Sequence, residues 1–231
     1  MIDRLVLFDI DCTLIDAHGA GGRAILRAIS DVYGVEGELG DYSFHGRTDP
    51  GIIADLAELW GGGEPGEVIG RRVDVCIARY VELLRDEITR VEVETLPGVK
   101  ELVTALAADR RAVVGLLTGN VVEGARLKLE PTGLFPLFKV GAYGSDSALR
   151  ADLPAVALAR AEALDGRLYA GKGIVVIGDT PADVECGASL GVTAVAVATG
   201  RHTVDELAVH APDHLFADFF DWRSAYDAIM G

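Results

Sequence analysis

The first apolar run of the chain, Leu5-Val6-Leu7-Phe8, leads directly into Asp9-Ile10-Asp11-Cys12-Thr13-Leu14. A short apolar run that ends in polar residues predicts a β-strand buried on both faces. Because side chains alternate along an extended backbone, Asp9 and Asp11 should share one side while Ile10 turns away. Two ionised carboxylates close together at a strand end repel each other unless a cation neutralises them or one of them carries a proton. One can attack as a nucleophile while the other donates and accepts a proton, although the pair alone also fits an ordinary acidic loop.

Three later apolar runs end in the same way, and helical patterns separate them. The runs are Ala112–Leu117 before Thr118-Gly119-Asn120, Gly173–Ile177 before Gly178-Asp179, and Thr193–Val197 before Ala198-Thr199-Gly200. The helical patterns cover Val99–Ala107, Val121–Leu129, Leu153–Leu164 and Ala182–Leu190. This alternation predicts an α/β fold with a Rossmann-like parallel sheet. Ligands in such sheets bind beyond the carboxyl ends of the strands, where these polar clusters lie.

The stretch between the first two of these strands, from about Ala17 to Leu96, shows helical periodicity without a convincing buried strand. Its helical patterns are Arg23–Tyr33, Pro50–Leu59 and Gly66–Glu87, and the glycine-rich residues 61–66 predict a loop within it. Glycines at positions 19, 21 and 22 lie at the start of this stretch, before its first helical pattern, and Pro97-Gly98 follows it. We therefore predict a core domain made of residues 1–16 and 97–231, with a helical domain of residues 17–96 inserted after the first strand.

The charge of the chain limits its partners. The sequence has 21 basic and 36 acidic residues, which gives a net charge of −15. This balance argues against a general nucleic-acid or anionic-membrane surface. Three scattered cysteines, Cys12, Cys76 and Cys186, form neither a disulfide framework nor a zinc motif. With no signal peptide and no apolar run of roughly 18 residues, we expect a cytoplasmic monomer or homodimer without nucleic-acid or membrane partners.

Two further clusters carry oxygen ligands and hydrogen-bond donors. In Gly178-Asp179-Thr180-Pro181-Ala182-Asp183, Asp179 should lie at a strand tip and Asp183 one helical turn later. Carboxylates of this kind suit Mg²⁺, although Asp183 could simply favour the helix dipole. Thr118-Gly119-Asn120 offers a hydroxyl and backbone N–H groups at a helix start, which form a natural phosphate cradle or else a plain helix cap.

Taken together, these motifs resemble those of the haloacid dehalogenase-like hydrolase superfamily, in the family's order and over nearly the whole chain. The helical insert resembles the family's C1 cap. The resemblance implies that Asp9 is the nucleophile that becomes aspartyl-phosphate and that Asp11 is the general acid and base. It further implies that Thr118 binds phosphate with Gly119 and Asn120, and that Asp9, Asp179 and the Asp11 carbonyl hold Mg²⁺. Asp183 would be a further ligand or would support the ligands from behind.

The sequence departs from the family pattern at one cation. The family has a lysine before the helix that precedes the Gly-Asp motif, whereas this region carries Arg150. A cation is needed because a carboxylate must approach an anionic phosphoryl group. Arg150 is the favoured candidate and Lys128, on the helix after Thr118, is the other. The alternative for both residues is a solvated helix charge.

Within the insert, Phe44-His45-Gly46-Arg47-Thr48-Asp49 resembles a segment found in the caps of phosphoglycolate-phosphatase-like members. Arg47 and His45 could reach the leaving group of a substrate. Thr48 or Asp49 could equally cap a helix that begins near Pro50. We leave both interpretations open at this point.

The resemblance implies a phosphatase that uses Mg²⁺ to hydrolyse a small phosphorylated metabolite. Dehalogenation is disfavoured because dehalogenases of the family lack a carboxylate matching Asp11. Phosphonate cleavage is disfavoured because no lysine occurs between Asp9 and Pro97 to form a Schiff base. A sugar phosphomutase of the β-phosphoglucomutase kind, which would require a sugar bisphosphate, and a non-catalytic binding protein on the same fold remain as alternatives.

Overall fold

The computed structural model describes residues 3–61 and 67–231, except for the side chains of residues 67–71. The loop predicted at residues 61–66 therefore lies, apart from Gly61, outside the described residues. The strands are β1 (Arg4–Phe8), β2 (Ile15–Asp16), β3 (Glu94–Thr95), β4 (Ala112–Leu117), β5 (Val140–Ala142), β6 (Ile174–Gly178), β7 (Thr193–Val197) and β8 (His214–Phe216). The α-helices are α1 (Ala20–Tyr33), α2 (Asp49–Leu59), α3 (Glu67–Ile88), α4 (Val99–Ala108), α5 (Val122–Leu129), α6 (Leu153–Asp165), α7 (Pro181–Cys186), α8 (Val204–Ala208) and α9 (Trp222–Met230).

A six-stranded parallel sheet forms the centre of the molecule, in the order β5-β4-β1-β6-β7-β8. Every residue of β1, β6 and β7 is buried, as expected for a parallel sheet covered on both faces. On one side Leu5 and Leu7 pack with α6 through Leu153. On the other side Val6 and Phe8 belong to an apolar cluster that continues into the helices of the insert. The predicted α/β, Rossmann-like fold is confirmed.

The register of the sheet brings the polar clusters together. Phe8 of β1 lies opposite Leu116 of β4 and Ile177 of β6. The residues that follow these three strands therefore leave the sheet side by side at its carboxyl edge. The Asp9 amide donates to the Ile177 carbonyl at 2.9 Å, which extends the ladder by one residue.

A short antiparallel pair joins the chain where it leaves and re-enters the sheet. Ile15 of β2 pairs with Thr95 of β3, and Asp16 pairs with Glu94. Between the two strands lie α1, α2 and α3, and α1 and α3 pack against each other more extensively than either packs against α2. The division into a core of residues 1–16 and 97–231 and an inserted domain of residues 17–96 stays a prediction, and we call residues 17–96 the cap below.

The helix predicted over Ala182–Leu190 is shorter than expected. α7 ends at Cys186, and Ala188–Leu190 forms a separate 3-10 turn. Gly187 lies between them, and a Cβ there would approach the Val192 side chain to 2.4 Å. The Val192 side chain therefore packs so closely against the backbone at position 187 that only glycine fits where α7 ends. No helix among the described residues is long and apolar enough to cross a membrane.

Candidate active site

Asp9 lies at the carboxyl end of β1 and is buried, with only 8% of the residue's surface exposed. One carboxylate oxygen lies 3.1 Å from a terminal nitrogen of Arg150. The same guanidinium nitrogen forms an ion pair with Asp183 and also donates to the Leu117 carbonyl at 3.4 Å. Burial raises the pKa of Asp9 to about 6, against the opposing effect of Arg150. Arg150 therefore fixes the position of the predicted nucleophile.

Asp11 lies in the turn that follows β1 and makes a second, separate ion pair. Lys128 lies 2.9 Å from one oxygen of Asp11 and 2.7 Å from the other. Asn120 donates to Asp11 at 2.8 Å and accepts from Lys128 at 2.6 Å, which closes a ring of three side chains. Burial alone would raise the pKa of Asp11, but the Lys128 ammonium and the Asn120 amide outweigh it and lower this pKa.

The structure thus brings both candidate cations into the site and gives them different partners. Arg150 and Lys128 are 9% and 4% exposed, so neither is a solvated helix charge. Arg150 forms ion pairs with Asp9 and Asp183, whereas Lys128 forms an ion pair with Asp11. Glycine at position 21 makes room for the lysine, because a Cβ there would lie 2.9 Å from the Lys128 nitrogen.

Asp179 and Asp183 occupy the positions predicted after β6, but their bonding differs. Asp183 forms a capping box with Thr180 at the start of α7 and accepts from the Thr180 hydroxyl at 2.6 Å. Together with Arg150, these bonds engage both of its oxygens. Asp179 accepts from the Thr13 hydroxyl at 3.3 Å. Its second oxygen is buried and receives no hydrogen bond from any residue that the structure describes.

These acidic residues fit a divalent metal ion. Asp9, Asp179 and Asp183 each place one carboxylate oxygen within 4.8 Å of the others. Burial, together with the nearby Asp9 and Asp183, raises the pKa of Asp179 to about 8. Buried carboxylates this close together repel one another, and hard oxygen donors of this kind suit Mg²⁺. The unpaired oxygen of Asp179 is the donor that such an ion would satisfy.

The loop after β4 carries the Thr118 hydroxyl and also forms hydrogen bonds with the cap. The Thr118 hydroxyl oxygen accepts from the Asn120 amide side chain at 2.8 Å and from the Asn120 backbone at 3.2 Å, which leaves its own proton free to donate. On the cap side, the Asp49 amide donates to the Gly119 carbonyl at 2.8 Å. The Asp49 carboxylate accepts from the Val121 amide at 2.8 Å, just before α5.

Close packing at this contact leaves no room for a side chain on Gly119. A Cβ there would lie 1.9 Å from the Arg47 carbonyl oxygen. A second bond from the cap, from the Thr48 hydroxyl to the Ala148 carbonyl at 2.7 Å, lies next to it. Thr48 also accepts from the Gly51 amide and so caps α2. The cap is therefore in direct contact with the loop predicted to bind phosphate.

A cavity of about 270 Å³ lies between the cap and the carboxyl edge of the sheet. The predicted residues Asp9, Asp11, Thr118, Gly119, Asn120, Lys128, Arg150, Asp179 and Arg47 all line it. Arg47 lies at the rim, where its half-exposed guanidinium pairs with Asp55 at 2.8 Å and stacks on Tyr42. Its predicted role in substrate binding stays a prediction.

Sequence reasoning missed part of the cavity wall. Tyr80 and Ile25 come from the middle of the cap helices α3 and α1, and both are buried. Their helices show only the apolar periodicity of any packed helix, so no local pattern distinguishes a cavity residue from a core residue. The sequence indicates Asp49 only as a possible helix cap, whereas in the structure its carboxylate also joins the cap to the core.

The fold and the site together define an α/β enzyme in which acidic and basic side chains at the ends of parallel strands act under a helical cap. A family model described as haloacid dehalogenase-like hydrolase matches residues 4–191. This match covers most of the chain, and the chain belongs to the haloacid dehalogenase-like hydrolase family.

Individual relatives resemble the chain along nearly its whole length. It is 25% identical over 233 residues to "Probable phosphatase IndB" of Dickeya dadantii (strain 3937), covering 98% of this chain and 94% of that protein. CbbY from Rhodobacter sphaeroides, solved in complex with phosphate, superposes with a TM-score of 0.72 at 17% identity, covering 95% and 96% of the two chains. A predicted phosphoglycolate phosphatase from Haemophilus somnus 129pt gives 0.66 at 20% identity, covering 97% of each chain. At these identities the two structural matches concern the fold.

Proposed function

We propose that the protein is a magnesium-dependent phosphatase that hydrolyses a small-molecule phosphomonoester through an aspartyl-phosphate on Asp9. The observation that carries this proposal is the pairing of two aspartates with two different cations in one cavity. Asp9 is held by Arg150, and Asp11 is held by Lys128. Two carboxylates with separate environments can take separate roles, one as nucleophile and one as proton carrier. The similarity to a protein described as a probable phosphatase supports the same reaction class.

The metal donors in this proposal are Asp9, Asp179 and the backbone carbonyl of Asp11. Asp183 supports them through its bonds to Thr180 and Arg150. When bound, Mg²⁺ would neutralise negative charge on the phosphoryl oxygens and on the surrounding carboxylates. Asp179 is the best-supported donor, because one of its buried oxygens accepts no hydrogen bond from any described residue.

In the first step, an Asp9 oxygen attacks phosphorus while the bond from phosphorus to the leaving-group oxygen breaks. Arg150 holds the other part of the Asp9 carboxylate and so limits its rotation. The Thr118 hydroxyl and the Gly119 backbone N–H donate to the phosphoryl oxygens. Asp11, in its protonated form, gives its proton to the departing alcohol.

In the second step, the Asp11 carboxylate takes a proton from a water molecule that attacks the aspartyl-phosphate. The bond between phosphorus and Asp9 breaks, and inorganic phosphate leaves. Lys128 and Asn120 keep Asp11 oriented toward the reacting oxygen. The lowered pKa of Asp11 keeps its carboxylate ionised, which is the form that accepts a proton in this step.

We further propose that residues 17–96 act as a cap that opens and closes over the core of residues 1–16 and 97–231. The hinge would be the β2–β3 pair, where both linkers lie side by side. The closed contact joins Asp49 and Thr48 of the cap to the 119–121 loop and to Ala148 of the core. Closure would exclude bulk water from the first step and restrict substrates to small molecules.

The test is phosphate release from small phosphomonoesters in the presence of Mg²⁺, with Asp9→Asn as the comparison. An amide cannot attack phosphorus, so the variant should retain less than about a hundredth of the activity while keeping its circular dichroism spectrum. Mass spectrometry of acid-quenched wild-type enzyme should find a phosphoryl group on the peptide that contains Asp9. Undiminished hydrolysis by Asp9→Asn would refute the nucleophile assignment.

A further inference from the structure

We propose that Asp49 of the cap is a positioning residue, which orders the two side chains that hold Asp11 when the cap closes. Those two side chains are Asn120 and Lys128. This inference rests on the proposed function for the role of Asp11 in proton transfer. Asp49 acts through backbone groups of the loop after β4 and through the start of α5, not through the substrate.

Asp49 bonds the peptide units on both sides of Asn120. The Asp49 amide donates to the Gly119 carbonyl at 2.8 Å, and the Asp49 carboxylate accepts from the Val121 amide at the same distance. The Asn120 carbonyl, in the second of these peptide units, accepts from the Gly144 amide of the core at 2.9 Å. One cap residue therefore helps to fix the backbone from which the Asn120 side chain extends.

The Asp49 carboxylate also supplies an acceptor at the start of α5. The first N–H groups of a helix have no partner within the helix. Val121 lies immediately before α5, and its apolar side chain cannot accept from them as Ser, Thr or Asp would. Instead the Val121 amide donates to Asp49, and the Val122 amide donates to the Ser145 hydroxyl at 2.9 Å. The cap thus completes the N-terminus of the helix that carries Lys128.

Both groups that Asp49 orders lead to Asp11. The Asn120 side chain donates to Asp11 at 2.8 Å and accepts from Lys128 at 2.6 Å. Lys128 contacts both Asp11 oxygens, and cap helix α1 approaches it at Gly21, where a Cβ would lie 2.9 Å from the Lys128 nitrogen. Opening of the cap would break the Asp49 bonds and uncover Lys128, and both changes would loosen Asp11.

An acidic residue that only stabilised its own helix would be arranged differently. Asp49 is the first residue of α2, where a carboxylate can favour the helix dipole without another partner. The Thr48 hydroxyl already accepts from the Gly51 amide and caps α2. Asp49 is only 5% exposed, and burial of a carboxylate is unfavourable unless it is hydrogen-bonded. Its bond to another element, across the contact between cap and core, is the feature that a helix dipole does not require.

The kinetic experiment uses glycerol 2-phosphate with Mg²⁺, because its departing alkoxide needs a proton. Asp49→Ala keeps the backbone bond to Gly119 but removes the acceptor for Val121. We expect kcat to fall about tenfold, as for the loss of one helix cap, while KM changes less than about threefold. Asp49→Asn keeps an oxygen that can accept from Val121 and should retain at least about a third of kcat. Glu58→Ala removes an exposed carboxylate from the same helix and should leave both constants unchanged.

A double-mutant cycle tests whether Asp49 acts through Lys128. Asp49→Ala should cost at most about threefold in kcat when Lys128→Met is already present, because one of the groups that Asp49 orders has been removed. Independent contributions multiply, so a further tenfold loss in the double variant would overturn this route. All variants are compared at a temperature at which circular dichroism shows them folded.

Hydrogen exchange separates this inference from the proposed function, because it needs no substrate. Peptides that cover residues 118–129 should exchange faster in Asp49→Ala than in wild type or Glu58→Ala. If wild type hydrolyses no phosphomonoester, the proposed function fails, and the exchange comparison still decides whether Asp49 orders this segment. Unchanged exchange in Asp49→Ala, a loss confined to KM, or an equal loss of kcat in Asp49→Ala and Asp49→Asn would each overturn the inference.

Discussion

Lys128 bridges both carboxylate oxygens of Asp11, at 2.9 and 2.7 Å, although 117 residues separate the two in the sequence. The ammonium group reaches Asp11 from the last turn of α5 and is almost completely buried. Burial would lower the pKa of Lys128, but the carboxylates of Asp11 and Asp49 outweigh this and raise it. Lys128 therefore stays charged and acts as a fixed partner for Asp11.

We predict that Lys128→Met lowers kcat by about 10²-fold while the protein stays folded. Methionine keeps much of the apolar stem but removes the charge that orients Asp11, and one lost preorganised contact costs about 10²–10³-fold. Steady-state hydrolysis of a phosphomonoester measures the effect. Arg126→Met on the same helix is the control, because Arg126 is exposed and pairs only with Glu123 among its described partners. A change below about tenfold at Lys128 would show that its contact with Asp11 is dispensable.

Arg150 should show a different response. We predict that Arg150→Ala lowers kcat by about 10²–10³-fold and that Arg150→Lys restores part of the loss. Lysine can contact Asp9 as a point charge but cannot also bond Asp183 in the same planar arrangement. Arg160→Ala, which removes a surface pair with Asp146, serves as the control. Near-normal rates in Arg150→Ala would return the phosphate-neutralising role to Lys128.

The contact between cap and core gives a third prediction, at Gly119. A Cβ on this residue would lie 1.9 Å from the Arg47 carbonyl, so Gly119→Ala should prevent the observed docking of the cap. Displacing catalytic groups by about 1 Å can cost about 10²-fold, and we expect at least a tenfold loss in kcat/KM together with faster proteolysis within residues 17–96. Gly124→Ala in α5 is the matched control, because its Cβ would meet no atom closer than 3.4 Å. Equal behaviour of the two variants would contradict a closed cap in the working enzyme.

The sheet could be predicted where the apolar runs are long. β4 and β7 match the predicted ranges, β1 begins one residue earlier than predicted, and β6 begins and ends one residue later than predicted. The runs are buried on both faces, which makes them uniformly apolar and easy to recognise. β5 and β8 were not predicted, because three residues are too few to show a period. Pairing with β4 and β7 holds them in place, and such pairing is not visible in the local sequence.

The site could be predicted where it follows directly from strand ends. Asp9, Thr118 and Asp179 come together because parallel strands end at one edge of the sheet. The pairing of Lys128 with Asp11 could not be predicted in this way. The direction of the Lys128 side chain depends on the space left by Gly21 and on the position of Asn120, which are tertiary features of the cap and the core.

Asp49 gives a prediction for the pH dependence of stability. Burial raises its pKa from 3.8 to about 6, so the folded state holds the proton more tightly than the unfolded state. Stability should therefore fall as the pH rises through this window and stay constant above it. The full difference corresponds to roughly 3 kcal/mol, and about 2 kcal/mol of it arises between about pH 4.5 and 7.5.

Asn in place of Asp49 removes this titration and can still accept from the Val121 amide. The free energy of unfolding of Asp49→Asn minus that of wild type should therefore be about 2 kcal/mol larger at pH 7.5 than at pH 4.5. Urea unfolding at both pH values measures it, with the exposed Asp41→Asn as the control. A difference that does not change with pH would mean that Asp49 titrates normally.

The last prediction concerns Asp179 and the proposed metal. Asp179 has one buried oxygen without a described partner, and burial beside Asp9 and Asp183 raises its pKa to about 8. Asp179→Asn removes one of these repelling charges, so without metal the variant should unfold at the same temperature as wild type or higher. Mg²⁺ should stabilise wild type by about 2.7 kcal/mol at one hundred times its dissociation constant, whereas the variant should gain little. Thermal unfolding with EDTA and with increasing Mg²⁺ separates the two effects, and Asp213→Asn, at an ion pair with Lys172 remote from the cavity, is the control.

Hydrolysis by wild type should be suppressed by EDTA, and Ca²⁺ should inhibit because it takes more oxygen ligands at longer distances. Equal stabilisation of both proteins by Mg²⁺ would exclude Asp179 as a ligand, and full activity in EDTA would refute the metal requirement.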